Sequence, residues 1–431
     1  MARYLVTGPT PLSGHITISG NKNSVLKLMA ATILTKGTCT LRSVPNISDV
    51  SVMAEILTSL GANITGLGTA TLCVDTTNVK SFTVSPQMAT KLRASVVLLA
   101  PLLARFNQVS LGFPGGDTIG KRAIGTHLDA LNAFGANFEI SADLITGKLS
   151  LSPSQKISIF LDEASVTATE NALMFASSQT TTTTIQNAAC EPHVVDLENF
   201  LIQMGAQISG VGSNTVIITG VSNPKPVDFN VGPDYIDAGT FAIAATATSG
   251  SITLSPVRPQ DMQMILLYLA RFGVKYSWPK PDTLQILPSS LSVDSEKLGV
   301  RQKFQTRPWP GFPTDLMSPL IVLGTQAHGS VLMHDWMYET RMFFTDKLVS
   351  MGANITLCDP HRVIITGPTR LTGRHLASPD IRAGMSLLIA AMCATGQSEI
   401  DHAETIERGY ENPVARLNSL GANIKRLESS E

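Results

Sequence analysis

The segment LGFPGGDTIGKRAIGTH, residues 111–127, concentrates residue types suited to chemistry on an anion. Gly112, Gly115, Gly116, Gly120 and Gly125 let the backbone approach a ligand closely, while Asp117, Lys121 and Arg122 add one carboxyl group and two cations. The same composition also suits a mobile solvated loop. It matches neither a Walker A sequence nor a GxGxxG turn with a ribose-binding acid, so it gives weak support to the common nucleotide folds. Lys22, in SGNKNS, stands directly before an apolar helix, where a cation opposes the helix dipole unless an anion lies between them. It is a phosphate-binding candidate, the plain alternative being a solvated lysine. In RPWPGFPTDL, prolines stiffen the approach to Asp315, which either caps a helix or serves as the base or orienter of a hydroxyl group. Arg93, Arg341, Arg382 and Arg408 add further cations, each of which alone could be half of a surface salt bridge.

What must position these residues is a unit repeated six times. LTSLGANI ending at Ile64, LNAFGANF at Phe138, LIQMGAQI at Ile208, LARFGVKY at Tyr276, LVSMGANI at Ile355 and LNSLGANI at Ile424 share one pattern. Each reads as an amphipathic helix stopped by a glycine (Gly61, Gly135, Gly205, Gly273, Gly352, Gly421) and followed by a strand. The glycines recur every 68 to 79 residues, too long for a solenoid repeat and long enough for a compact subdomain. Ahead of each tag lies a second helix, apolar nearly all round, as in SVLKLMAATIL, SVVLLAPLLA and FAIAATATSG, which predicts helices inside each domain. Polar groups recur where those helices begin: Lys22 and Asn23; Lys91 and Arg93; Thr167 and Thr169; Asp237; Asp315; Asp380 and Arg382. A second recurrent place, the loop before the tagged helix, carries Asp117, Lys121 and Arg122, then Arg341, then Arg408. With three-fold pseudosymmetry in each half, these helix starts would gather on one anion-binding face per half, and two such faces would form a cleft.

At 431 residues the chain exceeds what a single core sustains, roughly 250 to 300 residues, so two domains are expected. Pro224, Pro226, Gly232 and Pro233 break the periodicity and mark a linker. The expected domains are 22–229, carrying the 111–127 loop, and 230–431 together with the N-terminal segment 1–21. Lys and Arg total 32 against 33 Asp and Glu, which gives no electrostatic reason to expect nucleic acid or an acidic membrane surface. Small-molecule partners are the better fit. The five cysteines are scattered without CxxC spacing, so no disulfide framework or zinc site is indicated, and a reduced cytosol is expected. The longest apolar stretches, such as VVLLAPLLA from Val96, fall short of the ~18 residues of a membrane span, and no secretory h-region is present.

The motifs SGNKNS, LRAS, FPGGDTIGKR, SVTATENALM, NAACEPHVVDLENFLIQMGAQISG, PGFPTD, YETRM, DIRAG and ERGYENPVARLNSLGANI, in this order, resemble the UDP-N-acetylglucosamine 1-carboxyvinyltransferases, or UDP-GlcNAc enolpyruvyl transferases. The resemblance runs through practically the whole chain. It implies an α/β fold of two inside-out α/β barrel domains, each of three repeated units with internal helices. It also implies transfer of the enolpyruvyl group of phosphoenolpyruvate to the 3-hydroxyl of UDP-N-acetylglucosamine with release of phosphate, the first committed step toward peptidoglycan. No metal or organic cofactor is implied, and a cytoplasmic monomer is expected. By motif, Lys22, Arg93, Arg122 and Arg408 would hold the phosphate and carboxylate of phosphoenolpyruvate, with Arg382 nearby. Asn23 and Asp315 would bind the sugar, Asp315 accepting the hydroxyl proton. Ala123, Ile124, Gly125 and Thr126, then Ser165, Val166 and Thr167, then Met337 and Tyr338 would line the uridine and diphosphate region. Two other functions stay open: the same transfer to another acceptor, such as shikimate 3-phosphate, and a catalytically silent binder of the sugar nucleotide.

One departure from the family pattern is chemically decisive. The loop commonly reads PGGC, but here it reads PGGD, so Asp117 stands where a reactive cysteine is expected. A carboxylic acid can protonate a carbon or a leaving phosphate without forming a covalent adduct. Lys121 and Arg122 favour its ionised form, whereas loop closure and an approaching phosphate dianion favour the acid. Epoxide inhibitors such as fosfomycin, which alkylate the cysteine, should then find no thiol. Gly125 in place of a loop acid, Cys190 in place of an arginine, His193 in the same run and Thr340 in place of an asparagine are smaller departures that bear on acceptor contacts.

Overall fold

The computed structural model describes residues 2–428 except 117, 118, 121, 151–155 and 294–301. Among the described residues every strand belongs to one of six four-stranded sheets, and the six share one plan. In each, a short edge strand runs parallel to the next strand, a third pairs antiparallel to that, and the strand of the glycine tag closes the far edge. The second repeat shows the plan in continuous sequence. Thr83–Val84 lies parallel to Gln108–Gly112, which pairs antiparallel with Leu144–Leu149, which pairs with Ala136–Ile140. The parallel pair needs a crossover, and the apolar helical stretch Arg93–Leu98 and Leu99–Phe106 supplies it.

Two compact units divide the sheets three and three: Met1–Ser19, Thr118–Lys121 and Pro233–Glu431 form one, and Gly20–Asp117 with Arg122–Gly232 form the other. The crossings between residues 19 and 20 and between 232 and 233 explain three sheets that sequence order alone would leave incomplete. Ser13–Thr17 provides the parallel edge for Ser251–Ser255, while Asp228–Asn230 does the same for Thr38–Arg42. The sixth repeat ends at its tag strand, Ile424–Glu428, and its missing member is Ala2–Gly8, which lies between that strand and Gly396–Asp401 with Tyr4 opposite both Arg426 and Ile400.

The helices that the sequence marks as apolar all round are interior. Tyr235–Ala247 is buried at every position, and Ile381–Cys393 at all but its last. Each packs in one of two separate apolar cores, one per unit, and a Leu-to-Ala change at such a site costs about 2–5 kcal/mol. Their starts are fixed by side chains. Asn21 accepts from the N–H groups of Asn23 and Ser24, Asp234 from those of Ile236 and Asp237, and Asp380 from those of Arg382 and Ala383. The tag glycines all have positive φ, from 80° at Gly273 to 116° at Gly205, as a left-handed helix stop requires. No described helix is long and apolar enough to cross a membrane.

Candidate active site

In the unit built on residues 20–232, the helix Lys22–Ala31 begins with the candidate phosphate ligand, and its compensating anion is internal. The Lys22 ammonium lies 2.8 Å from the Asp49 carboxylate, and both side chains are more than nine-tenths buried. Asp49 sits in the first turn of Ser48–Ser59, where a negative charge also meets the favourable end of that helix's dipole. Lys22 is therefore a held cation rather than a solvated one. Asn23, next in line, is half-buried, and its carbonyl accepts from Lys27 Nζ at 3.1 Å. Lys27 also meets Glu170 at 3.2 Å; burial pushes the Glu170 carboxyl up to about 7, with Lys27 pulling the other way.

The same unit gathers the loop cations and part of the nucleotide set. Arg93 Nη2 donates to the carbonyls of Arg122, at 2.7 Å, and Ala123, at 3.4 Å. Gly116, at φ +103°, runs so close to these side chains that a Cβ there would lie 2.7 Å from Arg93 Cβ and 3.2 Å from Arg122 Nη2. Gly125 and Thr126 open the helix Gly125–Asn132, following the exposed Ala123 and half-buried Ile124. Thr126 Oγ1 donates to Asp162 at 2.6 Å. His127 Nε2 pairs with Thr167 Oγ1 at 2.7 Å, so it joins this segment to Ser165, Val166 and Thr167 at the start of the helix Val166–Ser177. Burial, reinforced by the Arg93 charge, pushes the His127 imidazole down to about 4, so it is neutral near pH 7. Asp117 and Lys121 lie outside the described residues.

In the unit built on residues 233–431, Asp315 occupies the short 3-10 turn Thr314–Leu316 after Pro313. The helix-cap alternative for this aspartate does not hold: its carboxylate is taken by two arginines instead. Arg382 grips Oδ2 through Nε at 3.1 Å and Nη2 at 2.9 Å, while Arg341 Nη2 reaches Oδ1 at 3.3 Å. Both guanidinium groups are nearly inaccessible, whereas the Asp315 side chain keeps 29% of its surface. Burial pulls each guanidinium down, and Asp315, first among several carboxylates and phenols, pushes each back further, so both end above their ordinary value. Aromatic faces complete the pockets, with Arg382 over the Tyr410 ring and Arg341 over the Tyr338 ring, at 5.1 and 5.3 Å.

Met337 and Tyr338, both half-buried, follow the strand Gly329–His334 on the same stretch of chain as Arg341. Arg408 is half-buried and ends the one-turn helix Glu404–Glu407, which packs on Ile381–Cys393. Asp315 and Arg382 are thus brought into contact, Met337 and Tyr338 adjoin them through Arg341, and Arg408 belongs to the neighbouring element. Lys22, Asn23, Arg93, Arg122 and the 123–126 and 165–167 segments belong to the other unit.

Three acids were not among the site residues expected from the sequence. Asp49 partners Lys22 from 27 positions away, Asp335 lies beneath Arg341, and Asp237 takes a two-pronged grip from Arg416 at 3.0 and 2.6 Å. Only Asp237 carried a signal, its recurrent place at the start of a buried helix. Cys190 has its thiol pushed up to about 11 by burial and by Glu191 and Glu198, so it is not an activated nucleophile.

A family profile described as EPSP synthase (3-phosphoshikimate 1-carboxyvinyltransferase) matches residues 6–417. The UDP-N-acetylglucosamine 1-carboxyvinyltransferase of Treponema denticola is similar at 43% identity over 436 residues, spanning 99% of this chain and 100% of that protein. That of Bradyrhizobium diazoefficiens is 43% identical over 425 residues, spanning 99% and 98%. Among solved structures, the enolpyruvyl transferase NikO from Streptomyces tendae superposes with a TM-score of 0.87 at 23% identity, covering 100% of this chain and 99% of that one. An EPSP synthase from Acinetobacter baumannii gives 0.72 at 15% identity, covering 99% and 100%. At such identities the superpositions speak for the fold alone: two inside-out α/β barrels of three repeats each.

Proposed function

The chain belongs to the enolpyruvyl (carboxyvinyl) transferase family, among the UDP-N-acetylglucosamine 1-carboxyvinyltransferases, and from that premise we propose that it joins phosphoenolpyruvate to UDP-N-acetylglucosamine in the first committed step of peptidoglycan synthesis. The observation that carries the choice of acceptor is 43% identity to UDP-N-acetylglucosamine enzymes across essentially the whole chain. In the reaction the methylene carbon of phosphoenolpyruvate gains a proton while the sugar 3-oxygen bonds to the adjacent carbon. The tetrahedral product then loses phosphate and a methyl proton, leaving an enolpyruvyl ether. Both substrates are water-soluble anions, which supports work in the cytosol on small molecules without a nucleic-acid or membrane partner, and a monomer is the proposed state.

The residue types fit that chemistry. Phosphoenolpyruvate brings a phosphate and a carboxylate, for which Lys22, Arg93, Arg122, Arg382 and Arg408 are the proposed cations. Buried charge of this kind is strongly felt because little water screens it. Asn23 and Asp315 are proposed to hold the sugar. The two arginines on Asp315 support a role as orienter of the 3-hydroxyl, with proton acceptance as the oxygen attacks. Ala123–Thr126, Ser165–Thr167, Met337 and Tyr338 are proposed to line the nucleotide. The His127 link supports this by fixing two of those segments to each other. Asp117, by its place in the loop sequence, is the proposed proton donor.

The test is phosphate release. It should require phosphoenolpyruvate and UDP-N-acetylglucosamine together, and should not occur with either alone. The family profile is described by its shikimate-phosphate enzyme, which makes shikimate 3-phosphate the acceptor to compare. Release with shikimate 3-phosphate instead would overturn the proposed acceptor, and affinity for UDP-N-acetylglucosamine without any release would mark a silent binding protein.

A further inference from the structure

Beneath the Asp315 pair lies a carboxylate for which neither the motifs nor the reaction has a use. Asp335 follows the last residue of the strand Gly329–His334 and is fully buried. Its backbone is pinned on both sides to His361, its N–H donating to the His361 carbonyl at 2.9 Å and its own carbonyl facing His361 Nδ1 at 2.7 Å. Its two oxygens face different neighbours. Oδ1 accepts from Thr306 Oγ1 at 3.1 Å and from the Met337 N–H at 3.0 Å. Oδ2 accepts from Thr314 Oγ1 at 2.5 Å and faces Arg341 Nε at 3.9 Å.

Three of those neighbours adjoin the proposed site. Thr314 is the residue before Asp315 in the same turn, and Met337 opens the segment proposed to line the nucleotide. Arg341 is shared between two acids, its Nη2 on Asp315 at 3.3 Å and its Nε toward Asp335 at 3.9 Å. We propose that Asp335 is a positioning residue: Oδ2 sets the Asp315 turn and the placement of Arg341, while Oδ1 sets the nucleotide-lining segment. This deepens the carboxyvinyl transfer reading and rests on it.

The chemistry accounts for a carboxylate at this place. An isolated buried charge is costly, and this one is offset by a guanidinium and three hydrogen-bond donors. Asparagine has the same shape but only one acceptor oxygen. It would keep the contacts of Oδ1 and replace Oδ2 with an amide, removing one of the anions that act on Arg341. The guanidinium would then be held by Asp315 and Asp380 alone among these acids, and the orientation of the Asp315 carboxylate toward the sugar hydroxyl would shift.

The experiment compares Asp335→Asn, Asp335→Ala and Thr314→Val with the wild-type enzyme, measuring phosphate release, the Kd for UDP-N-acetylglucosamine and the thermal melt. A well-oriented proton acceptor is worth roughly 100-fold or more, so Asp335→Asn is expected to lower kcat by about 10- to 100-fold. Its Kd for the sugar nucleotide should stay within about twofold, because Oδ1 and its Met337 contact remain. Asp335→Ala should weaken that Kd as well, and Thr314→Val should lower kcat alone. A folded Asp335→Asn enzyme with wild-type kcat would overturn the proposal, as would one whose whole loss lies in Kd. If Asp335→Asn does not fold, Thr314→Val decides, and an unchanged kcat there is equally fatal. A wild-type enzyme that releases no phosphate with both substrates instead removes the carboxyvinyl transfer reading itself.

Discussion

At the scale of single residues, the most consequential letter is the aspartate of PGGD. A thiolate opens an epoxide readily, whereas a carboxylate is a much poorer nucleophile, so Asp117 should leave the enzyme active under fosfomycin. Asp117→Cys should confer time-dependent inactivation on preincubation with the epoxide. Time-dependent loss of activity in the unmutated enzyme would contradict the assignment. Buried carboxyls give a second, independent handle. Burial pushes the Glu198 carboxyl up to about 7, the Gly212 N–H that it accepts at 2.9 Å pulling the other way. An acid raised in the folded state holds its proton there when the unfolded chain has already lost it. Its contribution is thus full below the ordinary glutamate range and lost as pH rises through 7. Glu198→Gln should therefore raise stability at pH 8 relative to wild type, on the order of 2 kcal/mol, and the gain should vanish near pH 4. Denaturant midpoints at the two pH values measure it, and a pH-independent difference would refute it.

At the scale of elements, the tag was legible because its signals are local. A glycine after an amphipathic helix predicts the stop, and all six tag glycines have the positive φ that the pattern requires. The edge strands Ser13–Thr17 and Asp228–Asn230 were not legible, since a short strand with no alternation acquires its identity only from a partner hundreds of residues away. The site divides along the same line. Lys22, Asp315 and Arg382 were nameable from composition at helix starts, whereas Asp49 and Asp335 matter only through tertiary contact with an arginine or lysine. Equal local signals also need not mean equal energetics. At Gly61 an added Cβ would lie 2.6 Å from the Asn78 carbonyl, while at Gly421 the nearest atom is 3.8 Å away. Both positions have positive φ, 106° and 97°, so alanine is strained at either, by about 1–2 kcal/mol. Gly61→Ala adds a backbone clash and should destabilise its unit clearly more than Gly421→Ala does in the other. Equal shifts in denaturant midpoint would show that the loop at Asn78 yields freely.

At the scale of the whole molecule, the sheet of the sixth repeat lacks its third strand in sequence order, and Ala2–Gly8 supplies it. The sixth repeat ends at Ile424–Glu428, so Ala2–Gly8 must enter between that strand and Gly396–Asp401 for its apolar face to be covered. Tyr4 anchors the insertion: its ring is fully buried and its hydroxyl donates to Glu407 at 2.7 Å. Glu404 holds the start of the strand, accepting from the Ala2 N–H at 2.8 Å. Both acids lie in the one-turn helix that Arg408 ends, which ties closure of this sheet to the local setting of a proposed phosphoenolpyruvate ligand. Tyr4→Phe loses one hydrogen bond to a charged acceptor, about 1.5–3 kcal/mol, while Tyr4→Ala leaves a cavity costing about 3–5 kcal/mol. The loss should fall on the unit that contains residues 233–431, because the two cores are separate. Amide hydrogen exchange reads this directly. Tyr4→Ala should speed exchange through Gly396–Asp401 and Ile424–Glu428 while leaving Thr38–Arg42 and Gln108–Gly112 at wild-type rates. Uniform acceleration across both units would mean that they unfold as a single cooperative body, and the account of two independently stabilised halves would fail.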